Sequence, residues 1–301
     1  MSPIAIVSVL ALAAAAPQPS PPQPPKSPTE VVRAAKASDW AEIPASDLLV
    51  MDLAGDKRVV IQLAPLFAPV HVANIKAMAR SNYWSKATIY RVVDNWVTQW
   101  GLGEDEAAPQ APLPKGAVAR PPEEYARSAS GLTLIPLGSP DPYSAMAAFV
   151  DGWPAAMQVG GGVNPTYCYG AVGVARDAAP DTGNGSELFA VIGSTARRLD
   201  RNYALVGRVV EGMENLSALP RGTAEMGVYG KEQTPIPILS VKITADMPLS
   251  GRPRFEYLKT DSAAFAQYAE LASHRRDYGV PSPGAALCAV PVPVRKVEPK
   301  P

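Results

Sequence analysis

Short apolar runs broken by turn residues dominate the chain from residue 47 onward. DLLVMDLA and RVVIQLA flank Gly55-Asp56, which predicts two strands joined as a β-hairpin. APVHVANIKAMARSNY follows, with Pro69 early and apolar residues at Val70, Ala73, Ala77 and Met78, a helical spacing. IYRVVDNWVTQW, Ile89 to Trp100, is strand material again. Strict alternation puts Arg91 and Gln99 on one face and Trp96 on the other. The Asp94-Asn95 pair is a turn or bulge signal, and one extra residue there would bring Trp96 to the side of Arg91 and Gln99. CYGAVGVA, ELFAVIG, YALVGRVV and ILSVKIT are further short strands, and no long helices alternate with them. This predicts an antiparallel sheet closing on itself rather than a βαβ sheet.

The ends and the middle read differently. SPTE starts a helix, with Ser27 as N-cap, Pro28 at the first position and Glu30 completing a capping box. That helix is expected to run through VVRAAKA and stop near Ser38. From Gly101 to about Thr166 the pattern weakens into a Pro-, Ala- and Gly-rich stretch with islands such as GLTLIPLG and AAFVDGW. It reads as a long insertion with some local structure. DSAAFAQYAELA predicts an amphipathic helix capped by Asp261, with Phe265, Tyr268 and Leu271 on one face.

Composition adds three points. The 301-residue chain has formal net charge zero and no basic stripe, so nucleic acid is not an expected partner. IAIVSVLALAAAA, Ile4 to Ala16, is too short for a confident transmembrane span and fits a secretory signal peptide, although no Lys or Arg precedes it. PQPSPPQPPKSP then reads as an extended, solvated tether. The expected location is therefore outside the cytoplasm, in the periplasm, with no stable membrane span once the signal is removed. The only cysteines are Cys168 and Cys288, an even pair and a disulfide candidate in an exported protein; two separate buried thiols are the other reading.

Familiar chemistry is scarce. His71 and His274 are the only histidines, and neither stands near a recognisable nucleophile motif; no Cys/His metal spacing exists. GNGSEL lacks the third glycine of a dinucleotide loop and precedes a strand. Glu104 and Glu106 sit in the polar insertion as solvated loop charge. By spacing alone, Arg91 reads as half of a structural ion pair, for instance with Asp94, before it reads as a functional group.

The order of motifs says more. A hairpin, a helix, then YRVVDNWVTQWG, GAVGVAR, TGNGSELFAVIG and LDRNYALVGRVVEGME resembles the cyclophilin-type peptidyl-prolyl isomerases, across roughly Asp47 to Thr244. The resemblance implies a mainly β fold, a closed eight-stranded antiparallel barrel with flanking helices. Here it would carry the insertion (about 101–166), the signal (1–16), the tether (17–26), an N-terminal helical extension (27–46) and a C-terminal extension with one helix (245–301). The second family helix would have to lie in or just after the insertion. The resemblance implies Arg91 as the catalytic arginine and Gln99 as the holder of the substrate backbone. It implies Trp96, Val97, Ala175, Phe189, Leu199 and Tyr203 as substrate-binding residues. It implies proline-containing polypeptide substrates, no cofactor and no metal.

Three departures stand out. Trp100 replaces a glycine and puts bulk beside the expected groove, Glu187 replaces a glutamine and adds negative charge, and Arg198 replaces a tryptophan beside Leu199. The expected job needs no nucleophile. An X-Pro bond isomerises slowly because amide resonance must be broken, and a catalyst must bind the twisted amide better than either planar form. An always-charged, multi-donor guanidinium suits the pyramidal nitrogen. The alternative is a binding or chaperone module of the same fold with little isomerase activity.

Overall fold

The structure is a computed structural model and describes residues 27–103, 111–194, 196–275 and 279–297; the expected signal and tether, Glu104 and Glu106 lie outside the described residues. The first hairpin forms where expected, from β1 (Leu48–Leu53) and β2 (Lys57–Leu63). Gly55 and Asp56 both take positive φ, 80° and 56°, and turn the chain between the strands. Then come β3 (Thr88–Val92), β4 (Val97–Gly101), β5 (Ala171–Val174), β6 (Leu188–Val191), β7 (Leu205–Glu211) and β8 (Ile236–Ile243). These eight strands close an antiparallel barrel in the order β5-β6-β4-β3-β8-β1-β2-β7.

Of the two readings of Asp94-Asn95, the structure takes the turn and not the bulge, so Ile89 to Trp100 is not one continuous strand. It is the β3–β4 hairpin, with residues 93–96 reversing the chain and Asn95 in the left-handed region at φ 50°. Val93 N–H donates to Val97 O at 2.9 Å. A bulge does exist, but at Tyr90: Ile89 pairs with Trp100 and Arg91 with Gln99. Parity along a single strand is therefore the wrong ruler, because Arg91 and Gln99 are neighbours across a ladder.

The barrel interior is filled by Leu49, Met51 and Leu53 from β1, Val59, Ile61 and Leu63 from β2, and by Ile89, Trp100, Val172, Leu188 and Val206. Helix α2 (Pro69–Arg80, numbered after α1 below) sends Val72, Ile75 and Met78 into this cluster. The buried face is thus His71, Val72, Asn74, Ile75 and Met78; Ala73 is exposed. The helix was legible, but its inward face was not, because alanines at helical spacing pack on either side. Ala68 at its N-cap has no side-chain acceptor. Glu124 of the insertion takes that role, accepting from Val70 N at 2.9 Å, His71 N at 3.0 Å and His71 Nδ1 at 2.6 Å.

Helix α1 (Pro28–Ala34) has the expected capping box from Ser27 and Glu30 but ends before Ser38. The Asp39 carboxylate accepts from Lys36 N at 2.8 Å and starts a separate 3₁₀ turn. No α-helix lies within the described residues of the insertion. The second helix on the barrel is instead α3 (Glu214–Ser217), a single turn after β7, whose Leu216 enters the interior cluster. Helix α4 (Ala263–Ser273) is capped by Ser262, not Asp261, through Phe265 N at 3.1 Å.

The insertion folds into a five-stranded antiparallel sheet ordered 127–128, 162–165, 153–157, 146–150 and 135–136. A third sheet joins Trp40–Glu42, Phe255–Leu258 and Val294–Lys296. Both lie against the outside of the barrel. This explains why β1, over residues 48–51, and β6 show continuous apolar runs rather than alternation. Val50 and Val60 pack outward on Phe255, while Phe189 and Val191 pack outward with Trp153, Val163 and Tyr167. Arg208 on β7 braces the same seam. It donates to Gln62 Oε1 at 2.9 Å and Gly152 O at 2.7 Å, and its guanidinium lies 4.7 Å from the centre of the Trp153 ring. Burial pulls its pKa down to about 10.

Cys168 and Cys288 are disulfide-bonded across a sequence separation of 120 residues. The bond ties the C-terminal segment to the loop leading into β5. Replacing both by serine is expected to lower unfolding free energy by about 2–4 kcal/mol, because the unfolded chain loses a long closed loop. Urea unfolding followed by tryptophan fluorescence would check this.

Candidate active site

The β3–β4 hairpin carries the polar half of the site. Val97 and Gln99 point out of the barrel, while Thr98 and Trp100 point in; Trp100 is 1 % exposed and packs in the interior cluster. The expectation that Trp100 modifies the groove is therefore wrong. Strand alternation sends it to the opposite face from Gln99, where it fills the barrel.

The bulge at Tyr90 gives Tyr90 and Arg91 access to the outer surface together. Arg91 donates from Nη1 to Gln99 Oε1 at 2.7 Å and from Nε to Met226 O at 2.8 Å. Its Nη2 has no hydrogen-bond partner among the described residues. Asp94 is not its partner, since Asp94 pairs with Arg221 at 2.9 Å. Met226 sits in the left-handed region at φ 58°, a conformation that costs about 1 kcal/mol for a non-glycine residue. That turn brings the Met226 carbonyl under Arg91 and leaves the Met226 side chain 70 % exposed at the edge of the site.

The hydrogen bonds continue in one direction. Gln99 Nε2 donates to Tyr90 Oη at 2.6 Å, and the Tyr90 hydroxyl donates to Glu187 Oε2 at 2.9 Å. Glu187 Oε1 accepts from Leu102 N at 2.8 Å and Gly103 N at 3.2 Å. Gly101 makes this possible, because a Cβ there would lie 2.0 Å from Glu187 Oε2. An acceptor-only carboxylate at one end sets the polarity of the chain. Tyr90 must donate to it, Gln99 must donate to Tyr90, and the Gln99 oxygen must face Arg91. Glu187 thus acts beneath the groove by orienting Gln99, not as an open charge. Tyr90→Phe is expected to cut kcat/KM by about five- to tenfold, the worth of one hydrogen bond of about 1 kcal/mol or slightly more, with Gln99 free to flip. Steady-state kinetics on a neutral proline peptide would check it.

The apolar half joins Trp96 and Val97 of the same hairpin to residues distant in sequence. Trp96, Val97, Ala175, Phe189, Leu199 and Tyr203 line a cavity of about 370 Å³ together with Arg91 and Gln99. Tyr203 meets Phe189 edge-on at 5.8 Å, and Tyr167 from the end of the insertion stacks on its other side at 5.9 Å. Gly173 on β5 leaves space for both rings, since a Cβ would fall 2.4 Å from Phe189 Cζ and 2.5 Å from Tyr167 Oη. Leu199 ends a 3₁₀ turn, Ala196–Leu199. Arg197 anchors that turn with both η nitrogens on Asp141, at 3.0 and 2.8 Å, and Nε on Asp200 at 2.5 Å. Arg198 is exposed, with its guanidinium 5.0 Å from the Trp96 ring centre.

The structure thus brings Arg91, Gln99, Trp96, Val97, Ala175, Phe189, Leu199 and Tyr203 around one cavity, with Glu187 and Arg198 at its margins and Trp100 excluded. Sequence reasoning missed Tyr90, Arg176, Met226 and Val228, which also line it. Tyr90 and Arg176 adjoin residues that the motifs single out, so adjacency was the available signal. Nothing local marks Met226. His71 and His274 stand apart from the cavity: His71 is buried against Glu124, and His274 pairs with Glu270 at 3.1 Å.

Comparison with known proteins agrees with this geometry. The family model for cyclophilin type peptidyl-prolyl cis-trans isomerase matches residues 48–243. A probable peptidyl-prolyl cis-trans isomerase of Brucella suis biovar 1 is 27 % identical over 219 residues, covering 71 % of this chain and 89 % of that protein. The corresponding Brucella abortus protein is 26 % identical over the same length. Among solved structures, cyclophilin AquaCyp293 from Hirschia baltica superposes with a TM-score of 0.68 at 23 % identity, over 85 % of this chain and 93 % of that one, a likeness of fold. With the closed barrel and the matched domain both in place, the chain belongs to the cyclophilin-type peptidyl-prolyl cis-trans isomerases.

Proposed function

We propose that this isomerase works outside the cytoplasm on proline-containing segments of exported proteins, with Arg91 stabilising the twisted X-Pro amide. The observation that carries the mechanism is the placement of the Arg91 guanidinium. It is held from two sides by Gln99 and the Met226 carbonyl, and it borders an apolar cavity of a size to take a proline ring. Fixed donors aimed at a group whose charge develops only in the transition state cost no reorganisation when the reaction occurs. Trp96, Val97, Phe189 and Leu199 would hold the ring, and Gln99 would grip a backbone group of the substrate. Tyr203, standing edge-on to Phe189, would close the pocket.

Export is supported by the apolar run at Ile4 to Ala16 and by the Cys168–Cys288 bond, which suits an oxidising compartment. No helix among the described residues is long and apolar enough to cross a membrane. The binding-module reading loses one of its supports, because Trp100 lies inside the barrel. A protease-coupled assay with a neutral proline tetrapeptide tests the activity; a folded protein giving no rate above background overturns it. Fractionation with N-terminal sequencing of the mature protein tests the location.

A further inference from the structure

We propose that Arg176 and Arg198 make this groove select proline segments with acidic residues beside the proline; the proposal rests on the isomerase reading above. Two observations carry it. Each guanidinium lies over an aromatic ring of the proline cavity: Arg176 is 4.6 Å from the Tyr203 ring centre and Arg198 is 5.0 Å from that of Trp96. Among the described residues, neither forms an ion pair. Arg176 is fixed by carbonyls alone, Nε to Asn202 O at 2.9 Å and Nη1 to Asp177 O at 2.7 Å. A guanidinium stacked by its face on a ring keeps its edge donors for a carboxylate, in the fork geometry that carboxylates match.

The carboxylates near the groove are turned to other partners or to solvent rather than to these two guanidinium groups. Glu187 is engaged by two backbone N–H groups and the Tyr90 hydroxyl. Asp94 pairs with Arg221, and Asp181 accepts from Asp177 N at 2.9 Å. Asp141 and Asp200 are both taken by the buried Arg197. Asp177 and Glu225 are exposed to solvent. With Arg91 already in the cavity, Arg176 and Arg198 bring the cations at this site to three. A polypeptide whose proline enters the pocket would pass Trp96 and Tyr203, and hence both arginines. A partly exposed pair at contact distance is worth about a tenfold preference at most, and salt screens it.

The test is exchange NMR on tetrapeptides bearing Glu, Gln or Lys immediately before or after the proline, at about 20 mM and 0.5 M salt. The expected order of kcat/KM at low salt is Glu, then Gln, then Lys, with the Glu-to-Lys ratio at about five- to tenfold and falling at high salt. In Arg176→Gln/Arg198→Gln the ratio should collapse toward one, and in Arg176→Glu/Arg198→Glu it should invert. Ratios are read within each variant, so a change in overall rate does not enter. A wild-type ratio below about two, or a ratio unmoved by the substitutions, overturns the proposal. Absence of catalysis on every peptide, the Gln peptides included, overturns the isomerase reading instead.

Discussion

Arg91→Ala is expected to lower kcat/KM for a neutral proline peptide by about 10²–10³-fold, the loss seen when one fixed donor to a transition state is removed. The fold should hold. Arg91 is only partly buried and makes two hydrogen bonds but no ion pair, and the groups it leaves, Gln99 Oε1 and Met226 O, face a cavity that water can enter. Arg91→Lys keeps the charge but loses the planar fork, so it cannot hold both acceptors while presenting a further donor. Its activity should lie much nearer to that of the alanine variant than to wild type. Binding of a proline peptide, followed by tryptophan fluorescence from Trp96, should weaken far less than kcat. That contrast separates transition-state stabilisation from simple binding. An alanine variant within about threefold of wild type would remove the arginine from the mechanism.

Arg197→Met should cost about 3–5 kcal/mol of stability, the largest loss expected from a single change outside the cavity. Arg197, Asp141 and Asp200 are all nearly excluded from water, with side chains 8 %, 4 % and 7 % exposed. Removing the guanidinium leaves two carboxylates buried and uncompensated. The cost should reach function as well, because the triad fastens the insertion to the turn bearing Leu199, and Asp200 Oδ1 also accepts from Tyr167 N at 2.9 Å. The acids respond to pH in opposite senses. Burial pushes the Asp141 carboxyl up, but the hydrogen bonds from Arg197 and Ser144 outweigh it, so its pKa lies below the usual 3.8. Its contribution is present above that value and is lost as pH falls through the depressed one. Burial dominates at Asp200 and raises its pKa, so protonating it as pH falls favours the folded state. In Arg197→Met both acids can be neutralised by protonation, so the deficit against wild type should shrink between pH 7 and pH 4. Urea unfolding across that range measures it; a deficit that is constant or grows toward acid would rule out unpaired charge as the cause. Adding Asp141→Leu and Asp200→Asn should restore most of the stability, because the amide oxygen introduced by the second change still accepts from Tyr167 N.

How much of this was legible along the chain follows the range of the forces involved. Features set within a few residues could be read directly. Gly55-Asp56 supplies the positive φ values of the first turn, Pro69 opens α2, and Ser27 with Glu30 forms a capping box, because each depends on neighbours in sequence. The closed barrel was legible through the order of its motifs, and so were eight of the twelve residues that line the cavity.

Other features depend on what lies opposite, and these went unread or were misread. The direction of Trp100 follows from strand pairing, which made Asp94-Asn95 a turn rather than a bulge and placed the bulge at Tyr90. Glu187 looked like an open charge; Tyr90, Leu102 and Gly103, remote in sequence from it, make it an orienting acceptor. The insertion lacked a clear pattern because its strands are short and their apolar residues pack against the barrel and the terminal segments. Its sheet nevertheless backs Phe189 and Leu199. The sequence by itself determined the local turns, the strands and the identity of the chemical groups. Tertiary structure alone decided which faces they present and which of them touch, because pairing across a sheet and burial between sheets join residues that no local spacing relates.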